Sequence, residues 1–263
     1  MAQETKDFAI EFNNIEPKEY SPRDNNPSSL KLNHQSVQKI INIALELSKE
    51  NRLITSELLY NVAKKVLKIP GGGLKEIIQM LFSKRILVDS SRFTKINVLR
   101  NKTRSYIYHL IKTHIGAHFS FLKSELSQLN KNKMGVGHFT WHLEKLLSFN
   151  LIKKVKVKNY TIFLPVEISP EEGILYFVLR DAVNKLIISL LLERGTVNKM
   201  ELYNELNVKR AKIYYRLKNL VELGIISPKS DDKKTVSINS DKKDLIKKII
   251  LNIFSRNSLY LDY

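Results

Sequence analysis

Two stretches of this 263-residue chain gather side chains suited to a polyanion. The first carries His138, Thr140, Trp141, His142 and Lys145, followed by Lys154, Lys156 and Lys158. The second carries Lys209, Arg210, Lys212, Tyr214, Tyr215, Arg216 and Lys218. Ammonium and guanidinium groups neutralise phosphates, while hydroxyls, amides and imidazoles offer hydrogen bonds to base edges. Acids would oppose such contacts, and between Val98 and Pro165 only Glu125 and Glu144 stand against Arg100, Lys102, Arg104, Lys112, Lys123, Lys131, Lys133, Lys145, Lys153, Lys154, Lys156 and Lys158. Such a block predicts affinity that falls steeply with salt. A purely solvating role for the Lys154, Lys156 and Lys158 series is the plainer alternative, and Trp141 suits stacking on a protein partner as well as contact with a base.

Other chemistries have weaker support. His109, His114, His118, His138 and His142 include two pairs at i, i+4 spacing, which can hold zinc or nickel, but no Cys or carboxylate cluster completes a shell. No metal and no cofactor are expected. The Gly71-Gly72-Gly73 run lacks the Lys-Ser/Thr pair of a phosphate loop and reads as a helix-opening turn after Pro70. With no paired-carboxylate site, nucleophile elbow or H-E-x-x-H motif, the chain is not expected to be an enzyme.

The elements that must position these residues recur along the chain. Leu74 to Val88, Phe139 to Ile152 and Ile213 to Ile226 fall into register at offsets of about 65 and then about 74 residues. Each opens with apolar residues at i, i+4 and i+7: Leu74, Ile78, Leu81; Phe139, Leu143, Leu146; Ile213, Leu217, Leu220. That spacing places one stripe of a helix on a core. A reversal follows at Arg85, Asn150 or Gly224, where Asn and Gly suit a left-handed conformation better than Arg, and then an apolar pair that starts a strand. Long apolar helices precede, at Val37 to Leu47, Tyr106 to Ile111 and Ile174 to Leu192, two of them closed by Gly116 and Gly195. Lys153 to Leu164 alternates around Lys158-Asn159 as a hairpin, and Ser227 to Ile238 forms a second one. Three helices followed by a hairpin is the winged helix-turn-helix plan.

In that plan the third helix enters the major groove, so its outer face must present cations, donors or small residues. The second and third repeats meet this test through the residues above, with Gly137 and Asn219 on the same faces. The first offers Gly72, Glu76, Gln79 and Met80, with Ile77 where the others have His142 and Arg216. It reads as a packing surface for a neighbouring domain or subunit.

Composition agrees with a nucleic-acid partner. Lys and Arg number 44 against 26 Asp and Glu, a net charge of +18, and self-repulsion on that scale costs stability unless a polyanion relieves it. A chain without cysteine suits a reducing cytoplasmic setting, here on the nucleoid. Met1 to Thr5 is polar and acidic, unlike a signal peptide. Ile174 to Leu192 carries Arg180, Asp181, Asn184 and Lys185 at its centre, so it reads as one buried helix and no membrane insertion is expected. Met1 to Leu30 looks like an acidic tail in which Phe8, Ile10 and Phe12 alternate as a short strand. Leu245, Ile246, Ile249, Ile250, Ile253 and Phe254 recur at helical spacing, suiting a dimerising or capping helix.

Gly116-Ala117-His118-Phe119, Thr140-Trp141-His142-Leu143-Glu144-Lys145-Leu146 and Asn150-Leu151-Ile152-Lys153 together resemble the ArsR-type winged helices common in archaeal transcription regulators. Val208 to Leu220 with Gly224-Ile225-Ile226 resembles the same superfamily, and the resemblance spans roughly Arg100 to Ile238. It implies sequence-specific binding of double-stranded DNA by tandem units. The expected fold class is mainly α with small β-hairpins (α+β), as three tandem winged-helix domains at 31–99, 100–168 and 172–240, flanked by a tail at 1–30 and a C-terminal helix at 241–263. A homodimer through the first domain or the C-terminal helix would imply a palindromic operator. Two other readings stay open: a winged-helix scaffold for proteins, of the general transcription machinery or of membrane-remodelling complexes, and a nonspecific chromatin-like DNA binder.

Overall fold

A computed structural model describes residues 31–129, 134–229 and 232–258. The tail at 1–30, including the short strand expected at Phe8, Ile10 and Phe12, the cations Lys131 and Lys133, and the expected hairpin tip Ser230-Asp231 lie outside the described residues. What is described is mainly helical with small antiparallel sheets.

The repeat is written in backbone hydrogen bonds. Helices α1 (Gln35–Lys49), α2 (Ser56–Val66) and α3 (Gly71–Ser83) come first, followed by α4 (Lys102–Thr113), strand β1 (Ala117–His118), α5 (Phe119–Leu129) and α6 (Val136–Ser148). The last of the three in-register helices is α10 (Arg210–Glu222). Arg85, Asn150 and Gly224, just past α3, α6 and α10, take φ of 56°, 51° and 64°. The next residue's N–H returns to the helix in each case: Ile86 to Leu81 O at 3.0 Å, Leu151 to Leu146 O at 3.0 Å and Ile225 to Leu220 O at 3.0 Å. All three are Schellman ends, in which a left-handed residue lets two trailing N–H groups satisfy orphan carbonyls. Arg85 adopts this conformation although Asn and Gly are better suited to it; the apolar pair that follows it, Ile86-Leu87, is buried and anchors the turn.

The described residues group into two compact units, one comprising those of 31–113 together with 120–153, the other 114–119 together with those of 154–258. In the first, Val37, Ile40, Ile41, Leu59, Leu74, Ile78 and Leu81 share a core with Ile86 and Leu87, and α4 packs on α6. The strand expected after α3 is reduced to isolated bridges, Ile54 opposite Ser91 and Leu87 opposite Thr94. The cause is local. Ser90 is left-handed at φ 53°, and Thr94 N donates to Asn97 Oδ1 at 2.7 Å, which turns the chain into a 3-10 turn at Val98–Arg100 instead of a return strand.

In the second unit β1, β3 (Tyr160–Pro165) and β2 (Ile152–Val157) form one sheet in the order β1-β3-β2, with Ala117 opposite Phe163. Strands β4 (Thr196–Asn198), β6 (Asp232–Ile238) and β5 (Ile226–Lys229) form the other, in the order β4-β6-β5. Between them lie α7 (Pro170–Leu179), α8 (Ala182–Arg194) and α9 (Lys199–Glu205), and α11 (Ser240–Ser258) follows. The apolar run Ile174 to Leu192 is therefore two helices, not one. Asp181 breaks it by capping α8, accepting from Val183 N at 3.1 Å and Asn184 N at 3.0 Å. Among the described residues no helix is long and apolar enough to cross a membrane.

Two glycines allow the sheet and α7 to meet closely. A Cβ on Gly173 would lie 2.3 Å from Leu164 Cδ1, and one on Gly116, whose φ is +78°, would lie 2.8 Å from Gly173 O. Ile246, Ile249 and Ile250 of α11 are buried in this unit's core, where α11 packs on α7. Of the face expected to be dimerising or capping, Ile246, Ile249 and Ile250 thus cap this unit.

Candidate nucleic-acid interface

Helix α10 owes its orientation to Ile213, Leu217 and Leu220, all buried. The face away from that stripe is open: Lys209, Lys212, Tyr214, Tyr215 and Lys218 are exposed. Adjacent tyrosines suggest that one packs inward, yet Tyr214 and Tyr215 are 62% and 57% exposed. Asn198 begins α9 by accepting from Met200 N at 2.9 Å, and α9 packs on α10 through Arg210, whose guanidinium sits 4.8 Å from the Tyr203 ring and 3.1 Å from Met200 Sδ.

Arg216 departs from the expected groove contact. It is half-buried, its Nη2 donates to Asp181 Oδ2 at 2.6 Å, and its buried Nε has no partner among the described residues. The same Asp181 that caps α8 therefore also holds α10. Sequence reasoning missed this role. The signal was present as an acidic residue interrupting an apolar run, which marks a helix start, but nothing local reveals that its second oxygen meets Arg216.

Helix α6 has the same stripe and a different exterior. His142 is only 2% exposed, a correction to its place among the contact residues. With Phe139, Leu143 and Leu146 it completes an i, i+3, i+4, i+7 stripe, so helical spacing alone puts it inside. Burial, then His138 at 4.6 Å between ring centroids and the Arg104 charge, push its pKa down to about 4, so the ring is neutral at neutral pH. Among the described residues neither ring nitrogen has a hydrogen-bond partner.

Trp141 is 39% exposed. Its ring and that of Phe93 flank the Arg104 guanidinium, at 5.4 Å and 4.6 Å from the two centroids. Arg104 is itself buried and donates from Nε to Val98 O at 2.6 Å, and its pKa is lowered by that burial. Lys145 Nζ lies 5.8 Å from the centroid of the same indole. Trp141 is thus chiefly a wall of a cation–π stack. Thr140 is half-buried, while His138 stays exposed. Among the described residues no group of three or more His, Cys, Asp or Glu is placed to hold a metal.

On the β2–β3 hairpin Lys154 and Lys156 are exposed and alternate with half-buried Val155 and buried Val157. Lys158 behaves differently from these two. It occupies the turn with φ 53°, and its ammonium donates to Asn219 Oδ1 and Glu222 Oε2 of α10. That bond holds the Glu222 carboxyl below the usual range.

Helix α3 lacks the apolar outer surface expected of it. Ile77 is buried in its own core and Met80 packs against that core, because both extend the Leu74, Ile78, Leu81 stripe. The Tyr60 ring stands nearby between Lys64 and Lys75, each ammonium 5.8 Å from its centroid.

The chain is similar to a helix-turn-helix regulator. Over 164 residues it is 30% identical to an uncharacterized HTH-type transcriptional regulator of Methanocaldococcus jannaschii. The match takes in 61% of this chain but 40% of that relative, so the chain spans well under half of the relative's length. No family model matches.

Proposed function

We propose that this protein is a non-enzymatic, cytoplasmic, nucleoid-associated transcription regulator, an ArsR-like protein of winged-helix units that binds double-stranded DNA. The observation that carries the reading is the exterior of α10, where Lys209, Lys212, Tyr214, Tyr215 and Lys218 are exposed together opposite a buried stripe. In a helix-turn-helix the N-terminal half of the second helix meets base edges, and four of these five residues lie at or near that end. Lys154 and Lys156 supply phosphate contacts from the hairpin, with His138 and Lys145 a further set on α6. Similarity to a helix-turn-helix regulator supports the same reading.

Gel-shift titration over a salt series tests it. With six to ten phosphates engaged, affinity drops roughly a thousandfold or more over a few-fold rise in salt. Tyr215→Ala or Lys212→Ala lowers affinity for a duplex selected from a random pool by about tenfold. Wild-type protein that binds no duplex even at low salt overturns the proposal. A protein-binding scaffold is the second reading, favoured by the large exposed area of adjacent Tyr214 and Tyr215.

A further inference from the structure

We propose that Lys158 is a positioning residue that ties the β2–β3 turn to α10, so that the hairpin lysines and the reading helix meet one duplex in a single register. This rests on the DNA-binding reading above. The turn would ordinarily be the freest part of such a hairpin, and a lysine there the most available phosphate ligand. Here the ammonium is already spent on two acceptors, Asn219 and Glu222, one helical turn apart on α10. Glu222 is the acid at the C-terminal end of the helix, where it would repel a phosphate; Lys158 neutralises it, with Lys218 Nζ a further 4.0 Å away.

A second fastening lies on the same half of the helix, where Arg216 meets Asp181 at 2.6 Å. Residues 216, 219 and 222 follow one another at steps of three, so they lie side by side. The half of α10 that begins with Lys209, Lys212, Tyr214 and Tyr215 carries neither fastening. Helix α10 is therefore fastened to the hairpin and to Asp181 through residues 216, 219 and 222, while its N-terminal half meets α9 through Arg210 and leaves Lys209, Lys212, Tyr214 and Tyr215 exposed. Lys154 and Lys156 belong to the strand that leads into the fastened turn, so their placement along a duplex is not independent of α10. The role differs from that of a phosphate ligand: Lys158 acts on specificity through Glu222 and never touches DNA.

A charge swap separates the two. K158E, E222K and K158E/E222K are compared for binding to a selected duplex and to a random one, and for amide hydrogen exchange of residues 210–222 without DNA; the double swap preserves the net charge, and the Asn219 amide can rotate to donate to Glu at 158. Each single swap is expected to speed exchange in 216–222 and to lower the ratio of selected to random affinity about tenfold, and the double swap to return both readouts to within about threefold of wild type. A double swap no better than the worse single swap in either readout overturns the proposal. So does a K158E protein that loses affinity for both duplexes alike with a shallower salt dependence, the mark of a lost phosphate contact. If wild-type protein binds no duplex, the DNA-binding reading and the register claim fall together, while the exchange data alone still decide whether Lys158 fastens α10.

Discussion

Helices α6 and α10 are built on the same stripe, end in the same left-handed reversal and present different exteriors. On α10 Lys209, Lys212, Tyr214, Tyr215 and Lys218 project to solvent, while Arg210 meets α9 and residues 216, 219 and 222 bond to Asp181 and Lys158. On α6 the matching positions are largely consumed: His142 lies in the core, and Trp141 walls in a buried guanidinium. The difference lies in what packs nearby. Arg104 and Phe93 come from segments outside α6, and they convert a surface that sequence spacing marks as contact-ready into a structural one. A recognition-like helix pattern thus licenses a contact surface only where no neighbouring segment covers it.

The sharpest way to break this comparison is to remove the arginine on each side. Arg104→Ala leaves a cavity between Phe93 and Trp141 and deprives Val98 O of its donor, at a cost of about 3–4 kcal/mol in chemical denaturation. Arg216→Ala, whose ion pair with Asp181 is partly solvated, costs about 1 kcal/mol. Equal losses would show that α6 and α10 are held alike.

Acid provides the next largest effect. The folded pKa of His142 lies below that of the unfolded ring, so below about pH 6.5 the unfolded state binds the extra proton and stability falls as pH drops toward about 4. A gap of about 2.5 units corresponds to about 3–4 kcal/mol at most. His142→Leu, which keeps the site apolar, is expected to flatten the profile of unfolding midpoint against pH over that window. An unchanged profile would place the acid sensitivity elsewhere.

The smallest effects separate the aromatics. Trp141→Ala is expected to lower stability by about 2 kcal/mol, since it strips one wall from the Arg104 stack. Tyr215→Ala changes stability by less than about 0.5 kcal/mol while still weakening DNA binding, as befits an exposed side chain. Thermal unfolding of the two variants side by side is the measurement; a Tyr215→Ala protein as destabilised as Trp141→Ala would mean that α10 is packed, not open.

Much of this was legible in the linear pattern. The three stripes, the reversals at Arg85, Asn150 and Gly224 and the hairpin around Lys158-Asn159 depend on neighbours within a few residues, whose spacing can be counted. His142 was legible too, since Phe139, Leu143 and Leu146 mark its side of the helix. The break at Asp181 was signalled by a capping residue in an apolar run but outweighed by the run itself. The missing return strand after α3 depended on a Thr94–Asn97 turn that competes with ladder pairing.

By itself the sequence determined the periodic stripes, the Schellman ends and the excess of cations, because each is a property of local spacing or of composition. Only the tertiary structure decided which cations are free. Lys158, Arg104 and Arg216 look like their neighbours in sequence, and each is claimed by a partner distant along the chain: Glu222 for Lys158, Trp141 for Arg104, Asp181 for Arg216. Such pairings arise when packing brings remote segments within a few ångströms, a distance that no residue's local pattern encodes.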